Sequence, residues 1–337
     1  MLFKKPAPPA SKKSLTSILD FHLNRYARAY TINRHMMTVL LGMALLVSAD
    51  NYFFKDKEGT SGNDHIAVIK LTGEISATNK SGSASQFAKS FDKAVSNAHT
   101  KAVLIVANSG GGSPVMSEGI NAVIRDHLAK REQLAKSGTD KEKALANIKV
   151  YVSVEDLCAS ACLASIASAD VITAHKNSLV GSIGVRMDSF GIDGLLAKLG
   201  VERQVLTSGT NKDLLDPYRT MSEDEKAFIK RELMDPLHRN FIDLMKEARG
   251  NKLDVSNPQL FTGMVWSGTE AKKIGLVDAV QTTNQLEKEL MAKYGVDDIQ
   301  VVQKEGFSVM NMLKSAISDG IAMSTERVLA KEIAQFK

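Results

Sequence analysis

Cysteine is nearly absent from this chain: only Cys158 and Cys162 occur among 337 residues. Two are too few for a disulfide framework, and a four-residue spacing, read as one helical turn, points the side chains poorly for a bond to each other. Metal-ligand patterns are missing too. There is no His-Glu-x-x-His, no paired Cys-x-x-Cys and no His/Cys cluster at ligand spacing, so neither a metal nor another cofactor is expected. The chain lacks a Gly-x-Ser-x-Gly elbow, which argues against an α/β-hydrolase. It also lacks Gly-x-Gly-x-x-Gly, and no Gly-Lys-Ser/Thr comes after its glycine run, which argues against a nucleotide-phosphate loop.

Long apolar spans are also wanting. The charge-free stretch Met36 to Ala49, MMTVLLGMALLVSA, is fourteen residues, short of the ~20 that cross a bilayer comfortably. The adjoining NYFF, Asn51 to Phe54, can sit at the interface and lengthen it. The net charge of +5 is concentrated before this stretch, where Lys4, Lys5, Lys12, Lys13, Arg25, Arg28 and Arg34 face a single acid, Asp20. The rest of the chain is close to neutral, so a nucleic-acid partner is not expected. A cationic arm ahead of an apolar run predicts a signal anchor over residues 36–54, with the arm, 1–35, in the cytoplasm and the remainder outside. A cleaved signal and a buried core helix are the alternatives.

The composition is that of an ordinary folded protein, 44% hydrophobic and 24% charged. Residues 55–64 read as a polar linker, 65–285 as the main domain and 286–337 as a helical extension, amphipathic from Phe307 onward. Strand-like runs are expected at His65 to Ile75, Ala102 to Ala107, Ile148 to Val154, Asp170 to Ala174 and Val201 to Thr207. Helical segments are expected at Phe87 to Ala98, at Val115 to Leu128, and from a capping box at Ser222 through about Ala248. Alternation of the two predicts an α/β fold with mainly parallel pairing.

Chemistry concentrates in a few segments. In ANSGGGSP, Ala107 to Pro114, three glycines between a strand and a helix let backbone N–H groups converge on an oxyanion. The bare structural alternative is a tight turn. Ser160, in LCASACLAS, stands after a strand at the start of a helix, where a serine is either a cap or an exposed nucleophile. A nucleophile needs a base. His175 comes after a strand near Ser160 but sits in a polar turn. Lys212, in TSGTNKDLLDPYR, is the other candidate, although a lysine of ordinary pKa ~10.4 is only about 0.04% neutral at pH 7 and must be desolvated to serve. Ser182, between the glycines of VGSIGV, reads as a small turn or as a hydroxyl that orients an amine.

Taken in order and spacing, these segments resemble the bacterial signal peptide peptidase A family of membrane-anchored serine peptidases. The resemblance runs from about Ile66 to Val280. Ile66 to Ile75 matches the family strand IAVIxLxGxI, and Asn108 to Gly112 matches NSPGG. Cys158 to Asp170 aligns without gaps on AASGGYYIASAAD, and GSIGV is intact at Gly181 to Val185. The stretch around Lys212 looks like the segment carrying the base, and Gly263 to Val280 matches GRVWTGxxAxxxGLVD. The resemblance implies a caseinolytic-protease/crotonase-like fold of repeated β-β-α units. It implies Ser160 as nucleophile, Lys212 as base oriented by Ser182, and an oxyanion hole at Gly111 and Gly112. It further implies a homo-oligomer whose neighbouring subunits complete each site, anchored in the bacterial inner membrane with its catalytic domain outside the cytoplasm. The substrates implied are signal-peptide remnants or other membrane-associated or unfolded polypeptides. The chain departs from the family in carrying Ala161, Cys162, Leu163 and Ala164 where members have Gly-Gly-Tyr-Tyr, and Gly110 where they have proline. Two other functions fit parts of the pattern: a crotonase-type acyl-CoA enzyme, and a catalytically silent membrane scaffold.

Overall fold

The strand β1, His65–Thr72, shows how the sheet is built. Its apolar residues alternate between two faces: Ala67, Ile69 and Leu71 enter one core cluster, while Ile66 and Val68 enter a second. In β2, Thr100–Ser109, Val103, Ile105 and Ala107 join the first cluster and Ala102, Leu104 and Val106 the second. A sheet buried on both faces needs such unbroken apolar runs, which helix-covered parallel strands have. This is a computed structural model, and it describes residues 62–137, 139 and 147–303. The basic arm at 1–35, the anchor expected at 36–54, linker residues 55–61 and the amphipathic segment from Phe307 lie outside the described residues. Among the described residues, no helix is long and apolar enough to cross a membrane.

Among the described residues, eight strands form one mixed sheet in the order β6 (Val265–Ser267), β5 (Leu179–Gly181), β3 (Lys149–Ala159), β2, β1, β8 (Asp298–Val301), with β4 (Val171–Ala174) branching from β3 and β7 (Ala279–Val280) from β4. The branch exists because β3, Lys149–Ala159, is long enough to serve two neighbours. Its first half pairs with β4, Val171–Ala174, and its last three residues pair with β5, Leu179–Gly181. All pairings are parallel except that of β5 with β6, Val265–Ser267. β7, Ala279–Val280, pairs with β4, and β8, Asp298–Val301, pairs with β1.

Helices α1, Ala84–Ser96, and α2, Pro114–Ser137, contribute to the larger core. Phe87 and Phe91, one turn apart on α1, stack with centroids 5.8 Å apart, and burying each contributes about 1.5–3 kcal/mol. After β3 come α3, Ala161–Ile166, and α4, Asp193–Lys198. The capping box expected at Ser222 opens α5, Glu223–Ile229. The helix expected to run on from it passes through a π turn, Lys230–Met234, into α6, Asp235–Arg249. Pro236 accounts for the interruption, because it has no N–H to continue the ladder. Beyond α7, Gly268–Lys273, helix α8, Thr283–Tyr294, covers the second face of the sheet through Leu286 and Leu290.

Two half-buried ion pairs fasten the periphery. Arg131 grips Asp170 through two hydrogen bonds of 2.7 and 2.6 Å, and the Val150 N–H donates to the same carboxylate. Burial pushes the Asp170 carboxyl up, but these donors outweigh it and hold it below the ordinary carboxylate value. Asp278 is likewise held low: its burial is outweighed by Arg249, Lys252 and the Ile172 N–H.

The strand expected at Val201 to Thr207 does not form. Its residues are exposed, Leu206 fully so, and pair with no strand among the described residues. β-branched residues favour a strand only where a sheet edge receives them, and none of the described strands does so.

Candidate active site

Ser160 sits where β3 gives way to α3, at φ 53° and ψ −123°. Backbone at positive φ costs a non-glycine residue about 1–3 kcal/mol and persists only where the surroundings over-determine it. Three of those surroundings are visible. The Ser160 N–H donates to the Gly181 carbonyl at 2.8 Å, and its own carbonyl accepts from the Ala164 N–H at 3.1 Å. Helix α3 is buried along its whole length. The hydroxyl makes no capping bond to the helix, so the cap alternative is not realised and the side chain is left for other work.

The glycine run meets this turn directly. Gly111, at φ 106°, lies so close that a β-carbon built on it would fall 2.9 Å from both the Ser160 Cβ and the Ala159 carbonyl. The Gly111 carbonyl accepts from the Ile75 N–H, and the Ser113 N–H donates to the Ile75 carbonyl, which fixes the loop against the segment just beyond β1. Neither of those bonds uses the Gly112 N–H. The Gly111 N–H donates to Ser109 Oγ at 3.2 Å, so Gly112 is the less committed of the two expected oxyanion donors. Asn108 also reaches across to Asp156 on β3 at 3.2 Å.

Ser182 comes directly after Gly181, the last residue of β5, which pairs with Ala159 at the end of β3 and accepts the Ser160 N–H, so the two serines leave neighbouring strands side by side. It too has positive φ, 57°, and its N–H donates to the Met264 carbonyl. The structure therefore gathers Ser160, Gly111, Gly112 and Ser182 at one end of the sheet. Lys212 is not gathered with them. It occupies an exposed turn and does not line the cavity beside Ser160. His175 is also elsewhere: its Nε2 accepts from the Thr283 N–H at 2.9 Å and lies 3.0 Å from the Thr283 hydroxyl, a structural tie between the end of β4 and α8.

That cavity, about 380 Å³, runs from Ser160 and Gly112 between α2, α3 and α6. Its wall is small and apolar near the serine, at Ala161, Ala164 and Val185, and bulkier at Phe241 and Leu244. Asn121, almost fully buried, is fixed by Ser168 Oγ donating to its Oδ1. At the mouth Arg125 faces Glu247 at 3.6 Å, with both side chains largely exposed, so the pair contributes little. These lining residues carry no motif of their own. The amphipathic spacing of α2 and α6 marks them as helix-face residues, and only the fold turns those faces toward Ser160.

One expectation is overturned. Cys158 and Cys162 are joined in a disulfide, with Cα atoms 5.2 Å apart. A four-residue spacing disfavours the bond only when both cysteines lie on one helix. Cys158 is in fact the penultimate residue of β3 and Cys162 the second of α3, and the turn at Ser160 brings them face to face.

Residues 142–297 match the family described as Peptidase family S49, a span that holds Ser160, Ser182 and Lys212 and begins after the glycine run. Over 219 residues the chain is 38% identical to a Brucella melitensis protein named Na(+)/H(+) antiporter NhaA, a match covering 64% of this chain and 27% of that protein. It is 34% identical over 203 residues to a protein of Methanocaldococcus jannaschii assigned as a protease, covering 60% of this chain and 59% of that one. It is 27% identical over 276 residues to an Enterococcus faecium protein assigned as a signal peptide peptidase SppA, covering 79% and 74%. The chain thus spans about a quarter of the first relative and under two thirds of the second. Among solved structures, a membrane-bound stomatin-specific protease with a bound substrate peptide aligns at 13% identity over 76% of this chain and 99% of that one, with a TM-score of 0.43. Over residues 142–297 the chain is thus similar to the peptidases of family S49.

Proposed function

We propose that this protein is a serine endopeptidase in which Ser160 attacks the peptide carbonyl. The observation that carries the reading is the backbone of Ser160: a serine at φ 53° on a strand-to-helix turn, with no capping bond, against a glycine loop and beside a cavity. Lys212 accepts the serine proton and Ser182 orients its amine. The backbone N–H groups of Gly111 and Gly112 receive the oxyanion, and water then releases the acyl group.

Lys212 reaches Ser160 from a neighbouring copy of the chain in a homo-oligomer. In support, the segment that carries it presents a succession of large apolar side chains to solvent, among them Phe190 at 81%, Leu199 at 66% and Leu206 at 101% exposure, the kind of surface that a partner chain covers. The substrates are signal-peptide remnants or other unfolded polypeptides near a membrane, and the small apolar wall beside Ser160 favours small or aliphatic side chains next to the scissile bond. The anchor at 36–54 holds the domain outside the cytoplasm. The Cys158–Cys162 disulfide supports that placement, since such bonds persist in oxidising compartments.

Hydrolysis of short apolar peptides by the full chain, compared with Ser160→Ala and Lys212→Ala, tests the reading. Activity in the wild type and none in either variant is expected. Equal behaviour of all three would favour the silent scaffold, for which the placement of Lys212 away from the cavity in one chain is the supporting observation.

A further inference from the structure

The disulfide brackets the nucleophile symmetrically: Cys158 is two residues before Ser160 and Cys162 two residues after. Both half-cystines are fully buried in the main core cluster. A bond closing so short a ring removes little freedom from the unfolded chain, because the entropic benefit of a crosslink grows with the loop it closes. Its effect is therefore local. Inside the ring are Ala159, Ser160 and Ala161, and at its centre the unfavourable backbone of Ser160. A redox switch is a poor fit, since a thiol reductant needs access to a sulfur and neither sulfur is exposed in the folded chain.

We infer that the Cys158–Cys162 disulfide is a permanent positioning clamp for Ser160. It ties the last residues of β3 to the first turn of α3 so that the intervening turn stays at positive φ and Ser160 stays in the wall of the cavity. Hydrogen bonds alone do this only in part. The Ser160 N–H bond to Gly181 fixes one side of the turn and the Ala164 N–H bond to the Ser160 carbonyl the other, whereas the disulfide fixes the two sides to each other. The inference rests on the reading of Ser160 as nucleophile.

The experiment uses the full chain, refolded or isolated under oxidising conditions. Iodoacetamide treatment after denaturation, without and with a prior dithiol reductant, first counts the thiols. No alkylation without reductant and two carbamidomethyl groups with it are expected; free thiols without reductant overturn the clamp. The double variant Cys158→Ala/Cys162→Ala is then compared with wild type at a temperature where circular dichroism shows both fully folded. The clamp predicts a drop of at least tenfold in kcat and in the rate of fluorophosphonate labelling, with KM within about twofold, the signature of a misplaced nucleophile rather than a lost binding surface. A kcat within about twofold of wild type overturns it. Should the double variant fail to fold, wild type refolded in the continued presence of the dithiol supplies the same comparison without a change of sequence. The dithiol gives two electrons and two protons to the sulfurs and leaves as its own disulfide. Ser160→Ala distinguishes the two layers of inference: if it labels and cleaves like wild type with the bond intact, the nucleophile assignment has failed, and not merely the clamp.

Discussion

Replacing Gly111 with alanine tests the contact on which the site is built. At φ 106° an L-residue is strained by about 1–3 kcal/mol wherever it stands. The added β-carbon also meets the Ala159 carbonyl and the Ser160 Cβ at 2.9 Å each, a separation at which something must shift. Neither neighbour is the free end of a long side chain. The Ala159 carbonyl belongs to the end of β3 and the Ser160 Cβ carries the proposed nucleophile, so relief comes by moving the serine or the loop that faces it. Loss of one aligned oxyanion donor alone typically lowers kcat by about 10²–10³. Gly295 provides the control: it also has positive φ, 62°, but nothing lies within 4 Å of an added β-carbon. Gly295→Ala is expected to cost about 1 kcal/mol in urea unfolding and leave peptide hydrolysis unchanged. Gly111→Ala is expected to lower kcat/KM by at least ~100-fold. If Gly111→Ala retains kcat/KM within about threefold of wild type, the glycine loop is not pressed against the nucleophile and the proposed oxyanion hole is in the wrong place.

Other consequences are as direct. Asp170→Asn is expected to cost about 2–3 kcal/mol near neutral pH, a half-buried version of breaking one side of an ion pair. Because the folded-state pKa of Asp170 is lowered, its stabilisation is complete above the unfolded value near 4 and disappears as pH falls through the lower folded value; urea midpoints of wild type and variant should therefore converge below about pH 4. Ala164→Leu narrows the cavity next to Ser160, and kcat/KM for a leucyl peptide should fall about 10-fold or more relative to an alanyl one, as measured by competition. Leu206→Glu places a charge in the exposed apolar segment and should lower the mass found by light scattering; an unchanged mass counts against assembly through this segment. Mixing Ser160→Ala with Lys212→Ala before assembly should restore roughly a quarter of wild-type activity if the lysine comes from a neighbour, and none if it does not.

The parts of this fold that were legible in the sequence are those whose signal is complete within one segment. β1, β2 and the first half of β3 are long apolar runs, and the helix starting after Ser222 carries its own cap. β5, β6 and β7 are three, three and two residues long, too short for any period to register, yet β5 is what brings Ser182 alongside the Ser160 turn. Val201 to Thr207 has strand composition without a strand partner among the described residues, so its preference went unanswered. The disulfide was missed because side-chain direction depends on the turn at Ser160, and a positive φ at a serine is set by tertiary contacts that a linear spacing does not carry. Gly111 and Gly112 were readable as a turn, but which of their N–H groups is committed depends on Ser109.

Everything proposed for this site turns on Ser160 being the nucleophile. Peptide mass mapping after fluorophosphonate treatment of the full chain tests it most directly. The account predicts one adduct, on the peptide bearing Ser160, absent in Ser160→Ala and strongly reduced in Lys212→Ala. An adduct on any other residue, or none under conditions where the protein cleaves peptides, would contradict it.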